Sequence, residues 1–241
     1  MAVYKPKGMT SQDVCSQIKH ILQPFTGERK PIKVGHGGTL DPMAEGVLVI
    51  GIREGCKSMG QYLKGSKSYR ATALLGCETD TLDAEGHLLE AVPWEHISID
   101  MLKEALGQFR GDILQTPPMF SALKYKGKRM YELAREGKTV EREPRAVSVL
   151  QLELIDHASK LPEFSLDVTC GGGFYVRSLI ADLAKSCGGA AHMTALVRTS
   201  QGPYTLEDTL RQEDWKYENI YNAIYTHSES AGFKTVAPTG I

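Results

Sequence analysis

Polar and apolar residues alternate along 67–75, and Tyr69, Ala71, Ala73 and Leu75 fall on one side. A period of two predicts a strand with one buried face. Phe164, Leu166, Val168 and Cys170 repeat the pattern, and 147–155 and 195–199 are further strand candidates. The run Val-Leu-Val-Ile-Gly-Ile at 47–52 is apolar without alternation, which predicts a strand covered on both faces. Helical spacing appears between these segments. Val14, Cys15, Ile18, Ile21 and Leu22 share a face behind a Thr10 or Ser11 cap. Met59, Tyr62 and Leu63 predict a short helix, and Leu102, Ala105, Leu106 and Phe109 an amphipathic one that ends before Gly111. Val176, Leu179, Ile180 and Leu183 predict a fourth helix, stopped by Gly188-Gly189. A last helix carries Trp215, Ile220 and Ile224, and from Thr226 the composition turns polar and small, so 228–241 reads as flexible or extended.

Two glycine-rich junctions interrupt the pattern. Gly35-His-Gly-Gly-Thr-Leu-Asp-Pro-Met-Ala-Glu-Gly-Val-Leu48 runs into the apolar strand. Gly37 and Gly38 leave room for a close backbone or sugar approach, and Pro42 biases Asp41 towards an extended conformation. The plain alternative is an Asp-Pro turn between two strands. At the second junction Gly171-Gly-Gly173 breaks a strand, and Arg177 falls in the first turn of the helix that follows. A helix N-terminus gives a cation no help, so Arg177 calls for a carboxylate partner, the plain alternative being a solvated surface arginine.

Composition narrows the function classes. The chain has 241 residues, 41% hydrophobic and 24% charged, with a formal net charge of -1. That suits one large core, or one core plus a small appendage, and gives no global basic field, so a nucleic-acid partner must be held locally. The most basic window is 121–145, where Lys124, Lys126, Lys128, Arg129, Arg135, Lys138, Arg142 and Arg145 face only Glu132, Glu136, Glu141 and Glu143. Phe120, Tyr125 and Tyr131 interleave with it, a mix that suits a phosphate backbone with exposed bases, or else a solvated helix and loop. Lys5 and Lys7, in the turn before the first helix, read by default as solvated surface lysines. No run reaches membrane-spanning length, and the N-terminus shows no signal or transit segment. Five dispersed cysteines without a C-x-x-C pair point to a reducing compartment, and the seven histidines match no metal motif. Neither a Walker pattern nor a dinucleotide fingerprint is present.

Several of these segments are recognisable together. Lys5-Pro-x-Gly-x-Thr-Ser11, the 35–48 motif, Lys67-x-Tyr69, Thr79-Asp-Thr-x-Asp83 and Pro117-Pro-x-x-Ser-Ala-x-Lys124 occur in that order. Tyr131-x-x-Ala-Arg-x-Gly137, Gly173-x-Tyr-Val-Arg-Ser-Leu179 and Leu196-x-Arg198 follow. Over about residues 4–206 the chain resembles the TruB family of tRNA pseudouridine synthases. Its Gly-His-Gly-Gly form, the 24–31 loop and the Cys-Gly-Gly-Gly run are most similar to the eukaryotic, TRUB1-like branch.

The resemblance implies an α/β (α+β) fold, with a mixed, mainly antiparallel central sheet flanked by helices. It implies one catalytic domain over 1–225 with an RNA-binding insertion at about 117–146, then a flexible tail at 226–241 too short for a PUA domain. The implied reaction isomerises uridine-55 in the T-loop of tRNA, without cofactor or metal, after the base is flipped out. By the same resemblance Asp41 is the catalytic aspartate, Tyr69 stacks on the base and is a candidate for final proton transfer, and Arg177 pairs with Asp41. His36 takes the place of the flipped base and Leu196 packs beneath it. Lys5, Gly37, Gly38, Thr39, Lys124 and Tyr175 complete the implied substrate contacts. The implied partner is the tRNA T-arm, with T-loop-like mRNA sites as a further class, bound by a monomer in the nucleus, cytoplasm or mitochondrion. Phe174 departs from the family, which has threonine there. The competing readings are a silent RNA-binding module on the same scaffold, a synthase acting on mRNA or rRNA, and a glycoside hydrolase. The last needs a second placed carboxylate.

Overall fold

In the computed structural model the chain is described over residues 1–27 and 29–230. It divides into two units, residues 1–65 with 198–241, and residues 66–197.

The first unit opens with strand β1 (Ala2–Lys5) and helix α1 (Ser11–Leu22). Thr10 caps the helix reciprocally: its hydroxyl accepts the Asp13 N–H at 3.0 Å, and the Asp13 carboxylate accepts the Thr10 N–H at 2.9 Å. Strands β2 (Val34–His36) and β3 (Glu45–Ile52) pair antiparallel, and helix α2 (Met59–Lys64) follows. The buried face of α1 (Val14, Cys15, Ile18, Leu22) packs with Val3, Leu48 and Ile50 from β1 and β3.

The second unit starts at strand β4 (Lys67–Leu75), then the hairpin of β5 (Cys77–Thr79) and β6 (Leu88–Ala91). Helix α3 (Ile99–Ala105) and strand β7 (Gly111–Gln115) come next. A small hairpin, β8 (Lys124–Tyr125) and β9 (Lys128–Arg129), leads into helix α4 (Met130–Arg135). Strands β10 (Arg145–Leu154) and β11 (Glu163–Cys170) and helix α5 (Val176–Ser186) complete the set. The strands run in the order β4-β11-β10-β7, all antiparallel. Phe164, Leu166, Val168 and Cys170 are all buried, as their alternation predicts.

Strand β12 (Ala191–Gln201) carries the chain back to the first unit, where β13 (Tyr204–Thr205), β14 (Thr209–Leu210) and helix α6 (Tyr217–Ser230) follow. Trp215 and Ile220 join the first unit's core. The expected tail at 226–241 therefore begins as helix. Once α6 is anchored through Ile220, each added residue gains a backbone hydrogen bond at little cost, whatever its side chain. Residues 231–241 lie outside the described ones. No helix among the described residues is long and apolar enough to cross a membrane.

Candidate active site

His36, Gly37, Gly38, Thr39, Asp41 and Lys5 lie in the first unit. β2 ends at His36, and the chain leaves it through residues 37–44 before joining β3 at Glu45. The backbone on both sides of Asp41 is tied down. Ser11 Oγ accepts the Leu40 N–H at 2.8 Å and donates to the Leu40 carbonyl at 3.2 Å. The Pro42 carbonyl accepts the Gly8 N–H at 2.8 Å and the Lys5 ammonium at 3.2 Å. The Asp41 carbonyl itself accepts the Ala44 N–H at 3.1 Å. Asp41 is half-buried rather than sealed, and Thr39 beside it is exposed.

Lys5 is 0% exposed, so it is not the solvated lysine its sequence suggests. A buried ammonium must be hydrogen-bonded to be tolerated. Lys5 donates to the Pro6 carbonyl at 2.9 Å as well as to Pro42, and so acts on the Asp41 turn through its backbone. Arg198 is equally buried and donates to the carbonyls of Val47 at 2.7 Å and Gly38 at 3.1 Å. It thereby clamps the two ends of the segment that carries Asp41. Gly46, at φ +107°, sits where a Cβ would collide with the Arg198 carbonyl.

Tyr69, Lys124, Tyr175, Arg177 and Leu196 lie in the second unit. Tyr69 is on the buried side of β4 opposite Val168, and Leu196 is buried on β12. Lys124 is exposed at the start of the β8–β9 hairpin. The Tyr175 backbone is held by the buried Gln115 amide, which accepts its N–H at 2.8 Å and donates to its carbonyl at 3.0 Å. Two residues on, Arg177 is buried, and its guanidinium is fully engaged. It donates to the carbonyls of Thr81 at 2.7 Å and Phe120 at 2.9 Å and lies 3.5 Å from the Asp83 carboxylate. Asp83 is itself oriented by the Thr81 hydroxyl at 2.6 Å and the Glu85 N–H at 3.1 Å. Its loop is pinned to β12 by backbone bonds between Leu82 or Ala84 and Met193.

The carboxylate partner that the helix N-terminus demanded of Arg177 thus includes Asp83. Asp83, Gln115, Arg198 and Gln201 were not among the site residues read from the sequence. Asp83 and Arg198 stood inside recognised motifs without a role, while Gln115 and Gln201 carried no signal. Chemically, the first unit offers a half-buried aspartate on a fixed stretch of backbone beside glycines. The second offers a tyrosine, a leucine and a neutralised guanidinium, groups suited to a flat base and an anion.

The family model for "TruB family pseudouridylate synthase (N terminal domain)" matches residues 16–176, about two thirds of the chain. The human protein "Pseudouridylate synthase TRUB1" is 42% identical over 92% of this chain and 66% of its own length. The "tRNA pseudouridine synthase B" of Francisella tularensis (strain WY96-3418) is 41% identical over 90% of this chain and 69% of its own length. The chain therefore spans about two thirds of the curated relatives it matches. Among solved structures, a chain of a "Cbf5-Nop10-Gar1 Complex" aligns with a TM-score of 0.67 and 27% identity, covering 97% of this chain and 56% of that one. With a family model over most of its length and relatives above 40% identity, the chain belongs to the TruB family of pseudouridylate synthases.

Proposed function

We propose that this chain isomerises a uridine in the T-loop of tRNA, position 55, to pseudouridine. The observation that carries the reading is the Asp41 turn, with Leu40 and Pro42 both pinned and Asp41 itself half-buried rather than sealed. A flipped uridine would bring its ribose to Asp41, which attacks the sugar or removes a ribose proton as the N1–C1′ bond breaks. The detached uracil turns and C1′ bonds to C5. The C5 proton is then lost and N1 gains one, so no atom enters or leaves overall and no cofactor is consumed. Tyr69 stacks on the base and is a candidate for that final proton transfer, and Leu196 packs beneath it. Arg177 pairs with the catalytic aspartate, as the family's pattern implies, with Asp83 holding the guanidinium ready. His36 fills the place of the flipped base, while Thr39, Gly37 and Gly38 line the approach. Tyr175 and Lys124 contact the RNA. Lys5 serves by positioning Pro42.

In this reading residues 1–225 work as one catalytic domain, with 117–146 as the arm that closes on the T-stem. The partner is the tRNA T-arm, with mRNA sites that mimic it as a second class, bound by a monomer inside the cell.

The test is tritium release from C5-labelled uridine in an isolated T-arm stem-loop. Wild-type protein should release it, and Asp41→Asn should bind the RNA but release none. Full turnover by Asp41→Asn, or release of free uracil, would reject the reading.

A further inference from the structure

β2 and β3 pair with regular register: Val34 faces Ile52, Gly35 faces Gly51 and His36 faces Ile50. The next pair is Gly37 with Val49. In an antiparallel ladder such a pair exchanges two hydrogen bonds, one in each direction. Only one is direct here: the Gly37 N–H donates to the Val49 carbonyl at 2.8 Å. In place of the return bond stands the side-chain amide of Gln201. Its Oε1 accepts the Val49 N–H at 3.1 Å and its Nε2 donates to the Gly37 carbonyl at 2.8 Å. Gln201 is 0% exposed, so both bonds form out of water.

We infer that the Gln201 carboxamide is a wedge that substitutes for a peptide group at the end of the β2–β3 ladder, and that this positioning residue sets the angle at which the Asp41 loop leaves the sheet. The inference rests on the proposed reaction, since it assigns Gln201 a role in placing Asp41. A direct bond from the Val49 N–H would instead draw the Gly37 carbonyl in against β3. With the amide interposed, the chain diverges and Gly38 reaches Arg198 instead. The space at Gly37 is closed: a Cβ there would lie 2.6 Å from Tyr62 Cβ and 3.5 Å from Gln201 Nε2. Gly37 is therefore held between an aromatic side chain and the amide, and only glycine fits the slot.

The wedge needs one donor and one acceptor in a planar group of this reach. A protonated glutamic acid supplies both, a glutamate only acceptors, and a leucine neither. Gln201→Glu is thus a switchable version of the device, because burial and the facing Gly37 carbonyl both favour its neutral acid. The titratable or charged groups nearby are His36 next to Gly37, Tyr62 over it, Tyr204 opposite Gln201 on β13, and Arg198.

The experiment measures single-turnover rate and T-arm affinity from pH 5.5 to 8.5 for wild type, Gln201→Glu and Gln201→Leu, with the unfolding temperature followed in parallel. Gln201→Glu should turn over within about threefold of wild type at the acid end. It should fall by tenfold or more as pH rises, with unchanged RNA affinity and an intact fold. Gln201→Leu should be slow at every pH, with no added step, so that a titrating His36 is recognised by its presence in all three proteins. A Gln201→Glu profile parallel to that of wild type, or a loss that follows unfolding or RNA affinity, would overturn the wedge. An inactive wild type would instead sink the proposed reaction.

Discussion

The Arg177 and Asp83 side chains are 6% and 5% exposed, and their charged groups lie 3.5 Å apart. The Arg70–Asp167 pair is closer, at 3.0 Å, but its side chains are 57% and 41% exposed. Distance alone would rank the second pair higher; burial reverses the order. Removing one partner of a buried pair leaves an uncompensated charge out of water and costs about 3–5 kcal/mol, whereas exposed pairs contribute about 0–1 kcal/mol. Asp83→Ala should sit at the low end of the first range, because the Thr81 and Phe120 carbonyls still serve the guanidinium. Asp167→Ala should cost less than about 1 kcal/mol. Urea unfolding of the two variants checks this, and equal losses would mean that the Arg177 site is wetter than its burial indicates. Such residues were hard to read from sequence. Lys5, Gln115, Arg198 and Gln201 are polar, so hydrophobic periodicity assigns them to the surface, yet all are buried. What buries them is a need for donors at particular carbonyls, and that need arises only once the chain is folded.

Among the elements, β4, β10 and β11 are legible because apolar residues recur at every second position along most of each strand. β7 is not. Its Leu114 is 74% exposed while Gln115 next to it is 3% exposed, the reverse of what hydrophobicity predicts. The inversion has a local cause: Gln115 faces inward to hold Tyr175 at the start of α5. β1 was missed because it is four residues long and ends in a buried lysine. Helix α1, by contrast, was read nearly to its ends, and its packing carries a prediction. Desolvation pushes the Cys15 thiol from 9.0 up to about 12. A pKa raised by folding means stability that is whole below the unfolded value and is lost as pH climbs towards the folded one. The α1 packing should therefore weaken from about pH 9 upward. Tyr204, likewise raised by burial from 10.0 to about 12, adds its own loss only above about pH 10. Unfolding temperatures between pH 7 and 10 should bend downward near pH 9 in wild type. In Cys15→Ala, less stable throughout, the bend should be shallower. Matching bends in both proteins would place the thiol in contact with water.

At the scale of the whole molecule the question is how a chain of net charge -1 would hold the polyanion proposed as its substrate. The 121–145 window carries eight cations against four acids, but the structure shows that these charges are not equivalent. Lys128 and Lys138 both lie against Glu136, at 3.5 and 2.6 Å. Arg129 and Arg142 donate to the backbone carbonyls of Ala122 and Pro117 and brace the arm itself. Lys124 and Lys126 are exposed around the β8–β9 turn, with Lys126 lying over the Tyr125 ring at 5.4 Å. If this arm closes on the T-stem as proposed, these two hairpin-tip lysines are placed to displace counterions from phosphate. Each phosphate contact contributes about -0.9 to the slope of log affinity against log salt on duplex. Lys124→Gln with Lys126→Gln should then flatten that slope by roughly 2. Lys128→Gln should change it by much less than 1, because Glu136 already balances that charge. Filter binding of T-arm RNA across a salt series separates these outcomes. An unchanged slope in the double variant would move the RNA contact off the hairpin tip. An equal effect from Lys128→Gln would mean that RNA displaces Glu136 on binding, so that the arm rearranges its own ion pairs to meet the backbone.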